Sequence, residues 1–384
     1  MKIDRRNPKH WALLTVFSAV TLIALMLRPF VRKNARSVIL YGHKLNGNLL
    51  ALYEESLKKD YDLDFHFLTM DSAYHQALRE QGICSVFACS AGAAWLLARA
   101  KKIVTSHGLH AMAPLPLLTR IEFYDVWHGI PFKGFDGDDF RTQHKYKETW
   151  VTSVLLRKIY IEKFGFSDEQ VIVTGYPRTD RLVNPSGTLE GLKRRLDLPI
   201  ERQLILFAPT WTQDDNGRNI FPFNTNESDF ITAISSIADQ SDCDIILRPH
   251  LNTPFTTNSK HKNVHILSSR THPDTEEILL VSDILICDWS SIAFDFLLLK
   301  RPVYFLDVPP PFRKGLTLGH DYRFGEVVIS LQNLEDKLVS HLNDPEQYWQ
   351  NNEEKHQRAQ EKVYDDKADG KASFRCLERI RLNS

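Results

Sequence analysis

After residue 36, short β-rich runs alternate with helical stretches along almost the whole chain, and this alternation limits the possible folds more than any other feature. Helical spacing is clear in residues 48–59, "NLLALYEESLKK", and in residues 154–164, "VLLRKIYIEKF". The candidate strands of the first half are "SVILYG", "LDFHFLT", "ICSVFAC", "KIVTS", "RIEFYDVW", "ETWVTS" and "VIVTGYP". Such alternation predicts an α/β fold with parallel sheets covered by helices on both faces.

A region rich in proline, glycine and charge interrupts the pattern at residues 184–199, "NPSGTLEGLKRRLDLP". The alternation restarts with the strands "QLILFAPTW", "CDIILRPH", "NVHILS", "DILICDW" and "RPVYFLD". Because 384 residues exceed the size at which one hydrophobic core stops growing, two domains are expected. We predict two doubly wound, Rossmann-type domains at 37–184 and 185–384, the second with a tail helix. They face a cleft, where ligands bind beyond the carboxyl ends of the strands.

The segment before these domains is apolar. Residues 11–27, "WALLTVFSAVTLIALML", carry no charge over 17 positions and would form a helix of about 25 Å, near the lower limit for crossing a bilayer. A cleaved signal peptide is disfavoured because the run is long and "RPFVRKNARS" follows it in place of a small-residue cleavage site. We therefore predict a membrane-anchor helix within residues 1–36. Basic residues flank both ends, so charge does not set its orientation.

Composition excludes several classes of protein. Lysine plus arginine equals aspartate plus glutamate at 48 each, so no overall field attracts nucleic acid, and no nucleic-acid partner is expected. The five cysteines lack the paired spacing of a zinc or redox site, which favours buried, reduced thiols. The GxGxxG and Walker A patterns are both missing from the sequence, which argues against a standard dinucleotide-binding domain and a P-loop NTPase.

Polar residues follow several of the predicted strands, and those of the second domain suit phosphate. The turn "DWSS", from Asp288 to Ser291, follows a buried strand and precedes a helix, so one of its serines would cap that helix. The free amides and hydroxyl at such a helix start favour an anion. Arg248 and His250, at the end of another strand, could add charge-assisted donors to a diphosphate. The second domain is therefore predicted to bind the nucleotide.

His128 follows a strand of the first domain, in "YDVWHGIPFKGF". Pro131 keeps Ile130 out of helical geometry, and Gly129 removes side-chain bulk beside the imidazole, so a substrate could approach closely. An imidazole can take a proton from an attacking hydroxyl near neutral pH. The alternative is that Trp127, His128 and the proline simply pack an interdomain hinge. The residues alone leave both interpretations open.

Five segments in this order resemble the CDP-glycerol glycerophosphotransferase family, which contains teichoic-acid primases and polymerases and related capsule enzymes. They are "VWHGIPFKGFD", "GYPRTDRL", "LILFAPTW", "SDILICDWSSIAFDFLLLKRPVYFLD" and "DGKASFRCLERI". The resemblance implies a GT-B-like pair of domains. It also implies transfer of glycerol phosphate from CDP-glycerol to a hydroxyl of a polyprenyl-diphosphate-linked saccharide acceptor, with release of CMP. Since CDP-activated donors are made in the cytosol, the catalytic domains are expected at the cell membrane, facing the cytoplasm.

The resemblance also assigns roles to residues. His128 is expected to deprotonate the acceptor hydroxyl, with Gly129 beside it, and Asp288 and Asp295 to orient the serine turn. The residues expected on the donor phosphates are Arg248, His250, Ser290, Ser291, Arg375 and, as a weaker candidate, Thr210. The family usually has leucine where Phe132 stands, which leaves the acceptor identity open.

Other functions remain compatible with the sequence. No cofactor is expected, and Mg²⁺, where it takes part, is expected on the substrate diphosphate, because "DD" at Asp214 and Asp215 lies in a polar loop typical of a solvated turn. A GT-B glycosyltransferase using a nucleotide sugar is one alternative, since fold does not determine function. A CDP-ribitol-dependent ribitol phosphate transferase is a second. A membrane-tethered binding protein without catalysis is the third.

Overall fold

The computed structural model describes residues 7–210, 212–214, 217–219, 221–249 and 261–382, with the backbone alone for 212–214 and 217–219. The chain forms two compact units. The first contains residues 7–128, 136–180 and 367–382, and the second contains 129–135 and the described part of 181–366. The predicted division placed the whole of 185–384 in the second domain, whereas the structure groups the tail from Lys367 onward with the first unit.

The first unit is built on a parallel seven-stranded sheet with the order β3-β2-β1-β4-β5-β6-β7. All seven strands predicted in the first half of the sequence are present. Its strands are β1 (Asn34–Tyr41), β2 (Asp64–Thr69), β3 (Ser85–Phe87), β4 (Ala100–Thr105), β5 (Glu122–Val126), β6 (Glu148–Val151) and β7 (Val171–Val173). In the register, Tyr41 lies opposite Thr105 and Thr105 opposite Asp125, so β1, β4 and β5 end side by side.

Polar side chains cap the N-termini of three helices in this unit. Asp71, Ser90 and Ser153 each accept a hydrogen bond from a backbone amide of the first turn, which satisfies a donor that the helix itself cannot pair. In chain order, the helices between residue 7 and the start of the second sheet's region are α1 (Pro8–Leu27), α2 (Gly47–Lys58), α3 (Ser72–Glu80), α4 (Ala91–Arg99), α5 (Leu115–Leu118), α6 (Val154–Glu162) and α7 (Pro177–Val183), which follows β7. The predicted tail helix is α14 (Ala372–Leu382), and it belongs to this unit.

Helix α1 has two different faces. Phe17, Val20 and Ala24 are buried in the hydrophobic core of the first unit, where they join residues of β1 and α4. The Arg28 guanidinium, directly after the helix, donates to the carbonyls of Leu97 and Ala100. The opposite face exposes large apolar side chains, namely Trp11, Val16, Leu22, Ile23 and Met26. Within the span Pro8–Phe30, an 18-residue stretch has a mean hydropathy of 2.0, so the length and composition of the span fit the predicted membrane anchor.

The second unit is built on a parallel six-stranded sheet with the order β12-β11-β8-β13-β14-β15. Its strands are β8 (Gln203–Phe207), β11 (Cys243–Leu247), β12 (Val264–Ile266), β13 (Ile284–Cys287), β14 (Val303–Leu306) and β15 (Glu326–Val328). A separate antiparallel pair, β9 (Thr212–Asp214) and β10 (Gly217–Asn219), was not predicted, and neither was β15. The helices are α8 (Leu189–Arg195), α9 (Glu227–Gln240), α10 (Thr275–Val281), α11 (Ile292–Leu297), α12 (Leu331–Asn343) and α13 (Pro345–Tyr364). Two parallel sheets with flanking helices confirm the predicted α/β class.

Residues 129–135, directly after His128, are held within the second unit. The Gly134 amide donates to the Gly315 carbonyl at 2.8 Å, and the Thr317 amide donates to the Phe132 carbonyl at 2.8 Å. A Cβ on Gly134 would lie 2.2 Å from the Lys314 carbonyl oxygen, so only glycine allows this approach. The chain therefore passes from one unit to the other between His128 and Gly129.

Candidate functional site

Three adjacent strands of the first sheet are each followed by a histidine at the same offset. His43, His107 and His128 stand two residues after the ends of β1, β4 and β5. Because these strands are neighbours and parallel, their carboxyl ends bring the three imidazoles together. We call this group the first-sheet edge. The sequence reasoning identified His128 alone. The equal offset from three predicted strand ends was the signal that could have revealed His43 and His107.

The rings of the first-sheet edge contact one another directly. His107 and His128 stack with centroids 4.9 Å apart and planes 5° apart. The ring of His43 lies 4.3 Å from His107, and the indole of Trp127 lies 4.5 Å from His128. The Ser106 hydroxyl is hydrogen-bonded to Nδ1 of His107 at 2.9 Å. The predicted base is therefore one member of a packed set of aromatic rings.

Burial and the neighbouring histidines keep the imidazole of His107 neutral. Burial holds the pKa of His107 well below its ordinary value, and the neighbouring His128, His43 and His110 lower it further. Burial also lowers the pKa of His110, whose Nδ1 is hydrogen-bonded to the Tyr41 hydroxyl at 2.8 Å. Within the described residues, no group of three or more histidine, cysteine, aspartate or glutamate side chains could hold a metal ion.

A buried asparagine connects two of the motifs near this edge. Nδ2 of Asn48, at the start of α2, donates to the Trp127 carbonyl at 3.0 Å. Its Oδ1 accepts from the amide of Arg178, in the "GYPRTD" segment, also at 3.0 Å. Asn48 thereby fixes the backbone immediately before His128. The sequence reasoning missed this residue, because the partners lie about 80 and 130 positions away.

A buried carboxylate lies on β5, three residues before His128. The Thr105 hydroxyl donates to Oδ1 of Asp125 at 3.2 Å, while Oδ2 has no hydrogen-bond partner among the described residues. Burial raises the pKa of Asp125 to about 7, and the hydrogen bond from Thr105 opposes part of this shift. This side chain is therefore able to titrate near neutral pH.

The corresponding edge of the second sheet consists of residues after β8, β11 and β13, and we call it the second-sheet edge. Thr210 donates to Oδ1 of Asp288 through its amide at 2.7 Å and also through its hydroxyl. Asp288 is fully buried, which raises its pKa, and the bonds from Thr210 counteract that rise. The structure thus brings together two residues that the sequence placed on separate strands, since β8 and β13 are neighbours.

The two serines of the predicted phosphate turn precede α11. Ser291 occupies the N-cap position, but its side chain makes no capping hydrogen bond, contrary to the expected cap. The carbonyls of Ser290 and Ser291 accept from the amides of Ala293 and Phe294. Asp295 lies in the first turn of this helix and is buried. The structure therefore places both half-buried serines and Asp295 at the turn where the sequence predicted them.

Arg248 is buried directly after β11. Its Nη1 donates to the carbonyls of Leu267 and His272 at 3.1 Å each, and Nη2 donates to the Thr275 hydroxyl at 2.8 Å. Burial lowers its pKa to about 10. The guanidinium therefore fixes the segment between β12 and α10. His250, its predicted companion, lies outside the described residues.

Arg375 belongs to the first unit, on α14. Its Nε donates to the Thr174 carbonyl at 2.6 Å, Nη2 to the Lys367 carbonyl at 3.0 Å, and Nη1 pairs with Asp369 at 2.8 Å. These contacts attach the tail helix to the loop after β7.

Gly129 follows the first-sheet edge in sequence and lies in the second unit.

Comparison with known proteins gives the context for this geometry. The family model of CDP-glycerol:poly(glycerophosphate) glycerophosphotransferase matches residues 22–382. The chain is 31% identical over 207 residues to the teichoic acid glycerol-phosphate transferase of Staphylococcus aureus, an alignment covering 48% of this chain and 52% of that protein. It is 28% identical over 353 residues to the teichoic acid poly(ribitol-phosphate) polymerase of Bacillus spizizenii, covering 88% and 54%. The chain spans about half the length of these two relatives.

A solved structure of the wall teichoic acid polymerase TagF is similar to this chain with a TM-score of 0.77, over 96% of this chain and 93% of that one. The sequence identity in this comparison is 19%, so the similarity shows a shared fold. Together with the match to the family model, it confirms the resemblance stated from the motifs.

Proposed function

The chain belongs to the CDP-glycerol:poly(glycerophosphate) glycerophosphotransferase family, and on that premise we propose that it transfers a polyol phosphate in teichoic-acid synthesis. The donor is a CDP-activated polyol, with CDP-glycerol favoured, and CMP is released. The acceptor is a hydroxyl of a polyprenyl-diphosphate-linked saccharide. The observation that carries the proposal is the position of His128, after β5, with its ring held between defined neighbours at the carboxyl ends of three strands.

In this proposal, His128 takes the proton from the acceptor hydroxyl as its oxygen attacks the phosphorus that bears the polyol. The bond from that phosphorus to the oxygen of CMP breaks, and CMP leaves. Catalysis of this kind depends mainly on positioning and on donors that stabilise charge on the equatorial oxygens. The stacked rings supply the positioning of the base, because they restrict the plane in which its two nitrogens lie.

The second-sheet edge is the proposed donor site. The amides and hydroxyls of Ser290 and Ser291 are proposed to contact the donor phosphates, while Asp288 orients Thr210. Arg248, His250 and Arg375 remain proposed phosphate contacts by resemblance to the family. Arg248 already makes three hydrogen bonds within its own unit, so we assign it the additional role of holding the adjacent segment in place. No cofactor is proposed, and Mg²⁺ would act on the substrate diphosphate.

A lipid-linked acceptor requires access to a membrane. Helix α1 supports this requirement because it buries one face in the first unit and exposes large apolar side chains on the other. We propose that this exposed face contacts the cytoplasmic leaflet of the cell membrane, where CDP-activated donors are available.

The experiment that tests the function compares donors. The full chain is incubated with a synthetic polyprenyl-diphosphate disaccharide and, separately, CDP-glycerol, CDP-ribitol and a set of UDP-sugars. Release of CMP and extension of the acceptor with CDP-glycerol is the expected result. Ribitol transfer is the specific second candidate, because the relative that aligns with 88% of this chain is a ribitol-phosphate polymerase. Turnover of a UDP-sugar alone would replace the proposal by a glycosyltransferase, and turnover of no donor would favour a binding protein.

A further inference from the structure

His107 stands between two other histidines on the first-sheet edge and is nearly parallel to the proposed base. The 4.9 Å centroid distance and 5° interplanar angle to His128 describe a parallel stack, flatter than the 35° pair of His128 with Trp127. The Ser106 hydroxyl, 2.9 Å from Nδ1 of His107, fixes the rotation of the ring. His107 is therefore restrained by both a hydrogen bond and a stack, and its neighbour on the other side is His43 at 4.3 Å.

We propose that His107 is a positioning residue for His128: its stacked imidazole, held by Ser106, fixes the plane of the His128 ring and so directs the nitrogen that receives the acceptor proton. This inference rests on the proposed function for the reaction that it assists. The geometry of the stack stands independently of which donor is used.

The charge state of His107 suits this role. Because burial and the surrounding histidines hold its pKa well below the ordinary value, the ring is neutral at neutral pH. A neutral aromatic face can lie against an imidazolium without charge repulsion, and it attracts the cation weakly. His128 can therefore accept a proton during the reaction without losing its neighbour.

The test compares two replacements of His107 in the full chain. His107→Phe keeps a planar ring for the stack, whereas His107→Leu has a similar volume without one. We expect His107→Leu to lower kcat about 10- to 100-fold, because small misplacement of a catalytic group has effects of that size, with the KM for CDP-glycerol unchanged within about threefold. His107→Phe should remain within about threefold of the wild-type kcat.

A measurement without substrate separates this proposal from the proposed function. With ¹⁵N-labelled histidine, the Nδ1 and Nε2 signals of His128, identified by their loss in His128→Asn, report its tautomer and ring environment. They should change in His107→Leu and stay near wild type in His107→Phe. If the wild type turned over none of the donors, the proposed function would fail while these signals still decided the positioning role.

A matched control exists in the same unit. His75, on α3, also pairs its Nδ1 with a serine hydroxyl, Ser85, at 2.7 Å, and it stacks on Phe87. His75→Leu should leave kcat and the His128 signals unchanged. If His107→Leu does not fold, His107→Asn, which keeps a polar atom for Ser106 but lacks the imidazole, takes its place. Wild-type kcat and unaltered His128 signals in His107→Leu, or in His107→Asn where it replaces that variant, would overturn the proposal. A loss of kcat in His107→Phe equal to that in His107→Leu would also overturn it.

Discussion

The polar side chains at the carboxyl ends of the strands make different kinds of contact in the two sheets. At the first-sheet edge, imidazoles contact one another ring to ring, as His107 does with His43 and His128. At the second-sheet edge, Arg248 and Asp288 are tied by hydrogen bonds to main-chain groups of other segments. The first arrangement fixes the orientation of groups that can exchange protons, and the second fixes the shape of the loops around the proposed donor site. Under the proposed function, the base lies in the first unit and the donor contacts lie in the second, with Arg375 of the first unit as the exception.

The largest expected effect concerns His128. If this division is correct, His128→Asn should lower kcat by at least about 100-fold and up to about 10,000-fold, the range over which a general base contributes. The affinity for CDP-glycerol, measured by calorimetry, should stay within about threefold of wild type, because the donor is held by other residues. CMP release under saturating donor gives kcat.

The same substitution at His75 provides the control for His128→Asn. His75→Asn removes a histidine of the same unit whose ring lies on α3, so its turnover should match that of the wild type. A folded His128→Asn protein with unchanged turnover would exclude the general-base role and favour hinge packing by this residue. A folded variant that loses donor affinity in parallel with kcat would contradict the division between the two edges.

An intermediate effect is expected at Arg248. Arg248→Met removes the donors for the carbonyls of Leu267 and His272 and for the Thr275 hydroxyl, which leaves polar groups without partners in a buried region. We expect the free energy of unfolding to fall by about 2–4 kcal/mol, measured by urea denaturation.

Arg270 is the control for this substitution, since it lies in the same segment with its side chain exposed. Arg270→Met should change the free energy of unfolding by no more than about 0.5 kcal/mol. If Arg248→Met kept wild-type stability and lost only the affinity for CDP-glycerol, Arg248 would act on the diphosphate alone, as the sequence predicted, and not as a support for the segment.

The sequence was sufficient to locate the strands but not their neighbours. All seven strands of the first sheet follow from apolar runs, and His128 follows from its place behind one of them. His43 was missed because β2 and β3 separate β1 from β4 in the chain, whereas β1 and β4 pair in the sheet. His107 was missed although it follows β4, the strand directly before β5, at the same offset as His128. Local patterns do not encode which strands pair over long distances in a parallel sheet.

The same limitation applies to the arginines. Arg248 was expected on phosphate because a guanidinium after a strand suits an anion, and Arg375 was expected there from the resemblance to the family. Their partners at Leu267, His272 and Thr174 are main-chain carbonyls, which every residue carries, so no sequence pattern marks them. The position of the tail from Lys367 onward in the first unit follows from contacts of this kind.

The smallest expected effect concerns Asp125, the buried carboxylate beneath the first-sheet edge. Its pKa is raised to about 7 by burial, so the folded state holds a proton that the unfolded chain has already lost above about pH 4. The contribution of Asp125 to the free energy of unfolding is therefore greatest at low pH. It falls as pH rises toward 7, with a slope of at most about 1.4 kcal/mol per pH unit. Asp125→Asn has no such charge and can still accept from Thr105.

We therefore expect the free energy of unfolding of Asp125→Asn, relative to that of the wild type, to rise by up to about 4 kcal/mol between pH 4 and pH 7 and to stay constant above, since the pKa is raised from about 4 to about 7. The buried amide group of the variant lacks a partner and costs about 2 kcal/mol at every pH, so the net gain above pH 7 is about 1–2 kcal/mol. Tyr146 and Tyr160, the phenols whose pKa values Asp125 helps to raise, stay neutral throughout this range and add no slope. Glu169→Gln, which removes an exposed carboxylate of the same unit, should show no such dependence. A pH-independent difference for Asp125→Asn would mean that the carboxylate is ionised in the folded protein. The first-sheet edge would then hold a fixed negative charge on β5.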